Sequence, residues 1–198
     1  MNLKQSYARL APFYDLFIKN ATQEARQQSL IHLANQASNV LICGVGTGLD
    51  FPFLPPKPNY IGVELSNEML QRALNHPQKP LNFHAVLGDA QKLAFPDAYF
   101  DAVVLHLILA VVPDSAACLS EVCRVLKSGG HILIFDKFLR VEQKAPLRKL
   151  LNKLMQNRAT RLDVVFETVL NTQPKLQLLS DQNALLNGWF RTIHLQKN

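Results

Sequence analysis

From residue 40 onward, short apolar runs alternate with stretches whose apolar residues recur at helical spacing. Val40–Cys43, Tyr60–Glu64, Asn82–Leu87, Phe100–Leu105 and His131–Asp136 read as strands, the last after a Ser128-Gly129-Gly130 turn. Helices between them are announced by their caps, Ser66 before NEMLQRAL and Asp114, after Pro113, before SAACLSEVCRVL. Strands alternating with helices predict crossover connections and an α/β fold, a doubly wound parallel sheet covered on both faces. Residues 1–39 read as two helical pieces, of which Ala25–Ala37 is the more regular. Near the other end, Leu162, Val165, Phe166, Val169 and Leu170 fall at helical spacing before Pro174. Lys175–Leu185 and Trp189–Gln196 then flank Asn187-Gly188, a dipeptide suited to a type I′ hairpin turn. The expected sheet has seven strands, mostly parallel, with the last one antiparallel.

Composition narrows the class. The chain of 198 residues, 48% hydrophobic and 18% charged, is globular and long enough for one domain with a sizeable core. Cys43, Cys118 and Cys123 show no C-x-x-C spacing, which excludes a disulfide framework and a zinc signature and leaves them as buried hydrophobes. The start MNLKQSYARLAPFYDLF lacks a signal-peptide core, and no apolar run is long enough to span a bilayer. The expected setting is cytoplasmic, at most peripheral to the inner face of a membrane. Charge is unevenly placed: between Lys137 and Arg161 eight basic residues face Glu142 alone, a local excess larger than the +6 of the whole chain. Such confinement argues against a nucleic-acid-coating protein and for a patch that meets an anionic surface or ligand.

The chemistry begins in VLICGVGTGLD, where a strand runs into Gly44, Gly46 and Gly48. Glycines there let a ligand approach the backbone closely, beyond the carboxyl end of a strand. Glu64 closes the next strand, 20 residues after Gly44, where a carboxylate accepts both hydroxyls of a ribose. A dinucleotide fingerprint would need glycine at position 49, and Leu49 stands there. Hydride chemistry is thereby disfavoured.

ICGVGTG, GVELSNEML, LGDAQKLAFPDAYFD and VCRVLKSGGHILI, in this order and spacing, resemble the class I S-adenosylmethionine-dependent methyltransferases. Within them the likeness is to the type 11 branch of ubiquinone- and menaquinone-biosynthesis enzymes and small phosphatidylethanolamine N-methyltransferases. It covers Tyr7 to Phe138 and resumes weakly over Gly188–Leu195. The resemblance implies a Rossmann-like sheet and S-adenosylmethionine as cofactor. It divides the single domain into a helical cap (1–39), a cofactor-binding core (40–136), a basic helical segment (137–174) and a terminal strand pair (175–198). By the same resemblance, Gly44, Gly46, Thr47 and Gly48 would line the methionine portion, Glu64 the ribose, and Leu65 and Met69 the adenine. Asp89 and Ala90 would read the adenine edge, Leu105 and His106 would sit near the amino group, and Tyr7 and Tyr14 would close over the methionine end. His106 is the one candidate for a proton acceptor. No metal is implied. One departure stands out: Ile42 occupies the position, two before Gly44, where the family usually has a carboxylate. Either a neighbour such as Asp50 or a water compensates, or cofactor affinity is reduced.

Acceptor choice rests on segments outside this core. In KAPLRKLLNKLMQNRATR, Lys144–Arg161, Leu147, Leu150, Leu151, Leu154 and Met155 form one apolar stripe with basic residues beside it. Such a stripe either packs on its own core or lies at an anionic membrane surface. LHLILAVVPD, Leu105–Asp114, is apolar for an active-site rim. A lipid or amphipathic acceptor is the leading reading, with the amine of phosphatidylethanolamine as its candidate. A soluble small molecule or quinone precursor, and a noncatalytic S-adenosylmethionine-binding protein, are the alternatives.

Overall fold

The computed structural model describes residues 22–33, 37–140 and 164–198. Tyr7, Tyr14 and the Lys144–Arg161 segment lie outside the described residues.

Seven strands form one sheet: β1 (Asn39–Cys43), β2 (Asn59–Glu64), β3 (Phe83–Leu87), β4 (Phe100–His106), β5 (Leu126–Lys137), β6 (Leu176–Leu185) and β7 (Phe190–Lys197), in the order β3-β2-β1-β4-β5-β7-β6. β7 alone runs against its neighbours, pairing antiparallel with both β5 and β6. The order reverses between β1 and β4, the topological switch point beside which ligands bind in open sheets of this kind. Helices described are α1 (residues 22–30), α2 (Asn67–Leu74), α3 (Ser115–Val125) and α4 (Phe166–Leu170). Ser66 Oγ accepts from Met69 N–H, and Asp114 Oδ1 accepts from Ala116 and Ala117 N–H, so both expected caps form.

Side-chain alternation along the strands sends successive residues to opposite faces and builds two cores. Leu41, Cys43, Val103, Leu105, Ile132 and Ile134 pack with Cys118, Leu119 and Val122 of α3 and with Phe166 of α4. Val40, Ile42, Ala102, Val104 and Leu133 pack with Leu30 of α1 and Leu70 and Ala73 of α2.

Two local expectations shift. The Ser128-Gly129-Gly130 turn is a bulge inside β5: Leu126 already pairs with Phe100, and the register slips before His131 meets Ala102. Gly129, at φ 78°, supplies the left-handed residue that such a kink needs. The first helix ends at residue 30 rather than running to Ala37, with a turn over 31–33. There Leu33 is buried in the second core and His32 stacks on His194, ring centroids 4.8 Å apart. The Asn187-Gly188 turn forms as read, closed by Trp189 N–H donating to Leu186 C=O at 3.2 Å.

Candidate functional site

A cleft of about 960 Å³, counted with its open mouth, lies at the carboxyl ends of β1, β2 and β4. The glycine loop forms its floor. Gly44, Gly46 and Gly48 take φ of 68°, 57° and 88°, a region where a side chain is sterically disfavoured. A Cβ on Gly44 would come within 2.6 Å of Ile108 Cδ1, so the loop and the segment after β4 touch through the missing side chain. Gly48 differs from expectation: it does not line the cleft, and its missing Cβ makes room for the Phe51 ring, 2.5 Å from where that atom would sit. Leu105 likewise belongs to the core, fully buried, rather than to the cleft wall.

Glu64 ends β2 and is the anchor of the loop. Its Oε2 accepts from Gly46 N–H at 3.0 Å and its Oε1 from Ser66 N–H at 2.9 Å, joining the glycine loop to the start of α2. Burial raises its pKa above the ordinary 4.5, opposed by the backbone donors of Ser66, Gly46 and Leu65. Leu65, Met69 and Ala90 give that side of the cleft apolar walls, with Asp89 at its rim. Both Asp89 oxygens accept from Gln91 Nε2, at 3.0 and 3.1 Å, while Gln91 Oε1 accepts from Asp114 N–H. Sequence reading missed Gln91, which aims Asp89 and ties it to the cap of α3.

On the α1 side a buried polar cluster closes the cleft. Asp50 Oδ1 accepts from Arg26 Nη1 at 2.7 Å and lies 2.7 Å from His106 Nδ1; Ser29 Oγ lies 3.0 Å from His106 Nε2. Desolvation pushes the Asp50 pKa up, but the charges and hydrogen bonds of His106 and Arg26 hold it well below the usual carboxylate range. An ionised carboxylate keeps a proton on Nδ1, and Ser29 Oγ occupies the Nε2 side, so both ring nitrogens are engaged. A proton leaving an acceptor amine would therefore reach His106 Nε2 only by displacing Ser29. The geometry makes His106 a bonded wall of the cleft. Arg26 and Ser29, three apart on one helix, carried no motif; their polarity beside Ala25 and Leu30 was the one available signal.

The same cluster bears on the departure at position 42. Ile42 is buried against α1 and α2, and it pairs with Val104, two residues before His106 and on the same face. Asp50 brings a buried carboxylate to that face, at the ends of these strands.

Opposite lies an apolar wall, Leu107, Ile108, Val111, Val112 and Pro113. Leu107 adopts φ 58° while donating its N–H to Phe135 C=O at 2.7 Å, and this turns the chain across the mouth. Buried Asp136 supports the wall from β5 by accepting from Ala110 N–H at 3.0 Å.

These residues fit S-adenosylmethionine. Glu64 would accept from the ribose hydroxyls, Leu65, Met69 and Ala90 would sandwich the adenine, Asp89 would accept from its amino group, and Gly44, Gly46 and Thr47 would border the methionine portion. The cofactor, when bound, supplies an activated methyl group on a sulfonium. The chain's part is to orient it and exclude water, since alignment and desolvation dominate such transfers.

Comparison with known proteins agrees. Residues 41–134 match the model of a methyltransferase domain. A phosphatidylethanolamine N-methyltransferase of Cereibacter sphaeroides is 30% identical over 98% of this chain and 97% of its own. A demethylmenaquinone methyltransferase of Symbiobacterium thermophilum is 36% identical over 50% of this chain and 43% of its own. Among solved structures, a Thermotoga maritima protein described as an S-adenosylmethionine-dependent methyltransferase, possible histamine N-methyltransferase, superposes with a TM-score of 0.73 over 100% of both chains at 20% identity. Identity of 30% along nearly the whole of the phosphatidylethanolamine N-methyltransferase, on a sheet whose switch point carries this cleft, means that the chain belongs to the class I S-adenosylmethionine-dependent methyltransferases.

Proposed function

We propose that the methyl acceptor is a lipid or other amphipathic amine, with phosphatidylethanolamine as the leading candidate. One observation carries the reading: similarity to a phosphatidylethanolamine N-methyltransferase extends over 98% of the chain, through the segments outside the glycine-rich core. Acceptor choice in this architecture rests on those segments. The apolar wall from Leu107 to Pro113 suits acyl chains or glycerol esters beside the transfer site. The Lys144–Arg161 segment, with its basic residues and apolar stripe, would meet an anionic bilayer.

A quinone precursor is the second reading, favoured by the 36% identity to the demethylmenaquinone methyltransferase. Both acceptors are amphipathic, but they differ in the atom methylated. Transfer of labelled methyl from S-adenosylmethionine into purified phosphatidylethanolamine, demethylmenaquinone and a soluble metabolite extract separates them. Label in the phosphatidylethanolamine headgroup is expected. Label confined to the quinone or to soluble metabolites sinks the phospholipid reading.

A further inference from the structure

We infer that Arg26 is an oxyanion-binding residue of the cleft, whose free Nη2 receives a carboxylate or phosphate group of a bound ligand. Two sources offer that chemistry: the α-carboxylate of S-adenosylmethionine and the phosphodiester of the acceptor. The second source rests on the lipid-acceptor reading above; the first does not.

Arg26 is oriented from two sides. Thr22, Arg26 and Ser29 recur at four- and three-residue spacing, so they share one face of α1. Thr22 Oγ1 accepts from Arg26 Nε at 3.1 Å and Asp50 Oδ1 accepts from Nη1 at 2.7 Å, which fixes the plane of the guanidinium. A guanidinium carries five N–H donors, and the two on Nη2 meet no acceptor among the described residues. The buried side-chain atoms left without a partner among those residues are Glu167 Oε2 and Arg191 Nη1. Arg26 Nη2 is not one of them, so it borders open space, and the space that Arg26 lines is the cleft. The residue as a whole is only 5% exposed. Its pairing with Asp50 offsets the cost of burying the charge, but an apolar side chain of similar volume would fill the same place without that cost. Packing alone therefore does not call for a cation here.

Charge selects the ligand group. Glu64 and Asp89 are the carboxylates that line the cleft, and Arg26 is the one lysine or arginine that does so among the described residues. Asp50 follows Gly48 by two positions, so Arg26 meets the end of the glycine loop, beside which the methionine portion would lie. A cation there repels the ammonium and the sulfonium and attracts the carboxylate of the same amino acid. An ethanolamine phosphodiester carries a similar pair of charges, its phosphate two carbons from the amine that would be methylated. A guanidinium edge suits either oxyanion.

Two soluble probes test the two sources by calorimetry. Decarboxylated S-adenosylmethionine lacks only the carboxylate, and glycerophosphoethanolamine is the headgroup with its phosphodiester. Arg26→Lys keeps a cation beside Asp50 but removes the Nη2 edge. If the carboxylate is held, the parent should prefer S-adenosylmethionine over the decarboxylated form about 10- to 150-fold, and Arg26→Lys should cut that preference about tenfold or more. If the phosphodiester is held, the preference should stay. The affinity of the S-adenosylhomocysteine-loaded protein for glycerophosphoethanolamine should then fall by a similar factor in Arg26→Lys. Should Arg26→Lys fail to fold, the double variant Arg26→Gln, Asp50→Asn removes both buried charges and is read in the same way. An arginine with a merely structural role would move the melting temperature and leave both quantities alone, and that result overturns the inference. A parent with neither the preference nor headgroup binding overturns it without any variant. Labelled-methyl transfer decides the acceptor reading separately: its failure removes the phosphodiester source, while the carboxylate source still stands or falls on the decarboxylated cofactor.

Discussion

Glu64→Gln should be damaging although it keeps the shape of the side chain, and the reason lies in the two backbone donors that the carboxylate already serves. Oε2 takes the Gly46 N–H and Oε1 the Ser66 N–H, so each oxygen must be an acceptor. A glutamine amide puts an NH2 against one of those donors whichever way it flips, and one buried N–H loses its partner. That orphan costs about 1–3 kcal/mol of stability. Loss of the charge-assisted bonds to the ribose hydroxyls costs a further 1.5–3 kcal/mol or so of binding, a roughly 10- to 150-fold weaker affinity for S-adenosylmethionine. Calorimetric titration with the cofactor and denaturant melts of the free protein measure the two costs separately.

The protonation of Glu64 gives the same experiment a second readout. Burial raises its pKa above 4.5 in the folded chain, so its linkage favours the free fold at acid pH, and that contribution is lost as pH rises through the raised value. Cofactor binding runs the other way, because only the ionised carboxylate accepts two hydroxyls. The rise in melting temperature produced by the cofactor should therefore shrink as pH falls through the raised pKa, and Glu64→Gln should lack that dependence. A glutamine variant that binds the cofactor within about twofold of the parent and melts like it would refute the placement of the ribose and of the loop anchor together.

Removing the Asp50 carboxylate by Asp50→Ala strands the buried Arg26 charge and unpairs His106 Nδ1, so unfolding free energy should drop by about 3–5 kcal/mol; a loss under about 1 kcal/mol in urea melts would show that the cluster is not a buried ion pair. Gly44→Ala should reduce both stability and cofactor affinity, since its Cβ meets Ile108 at 2.6 Å, whereas Gly129→Ala, with φ 78° and open space around it, should cost about 1–2 kcal/mol of backbone strain and leave binding alone. Equal effects on binding would show that the loop and the Ile108 wall are not in contact. Desolvation and the neighbouring His32 and His131 push the His194 pKa down to about 4, so the unfolded chain binds more protons below pH 6.5 and stability should fall as pH drops from 6.5 toward 4. After solvent screening the loss is about 1–2 kcal/mol, and His194→Gln should flatten the profile of melting temperature against pH over that range.

What could be read from the chain alone was local in character. A glycine loop after a strand, a carboxylate closing the next strand and two capped helices each involve a few adjacent residues, and all stand where the motifs put them. Even the type I′ turn at Asn187-Gly188 followed from its dipeptide. The misplacements arise where distant pairing overrides local chemistry. Gly129 does take the left-handed conformation expected of a turn, but Leu126 pairs with Phe100 and converts the turn into a bulge within a strand. Helical periodicity continues past residue 30, yet His32 is drawn onto His194, 162 residues further on, and Leu33 into the core. Least legible was the polar cluster, whose members come from α1, the loop after β1 and the end of β4, its bonded pairs separated by 24 to 77 positions. The missing carboxylate at Ile42 was visible, but what stands near it was not. Asp50 reaches the same face as Ile42 only because the loop after Gly48 folds back under Phe51 and α1 supplies the opposing cation. A carboxylate at position 42 would belong to the strand alone. Asp50 is held by a helix of the N-terminal cap, so the floor of the cofactor cleft and the element that covers it are joined in one buried ion pair. Whatever displaces α1 must therefore also break the bonds that hold Asp50 to Arg26 and His106 to Ser29.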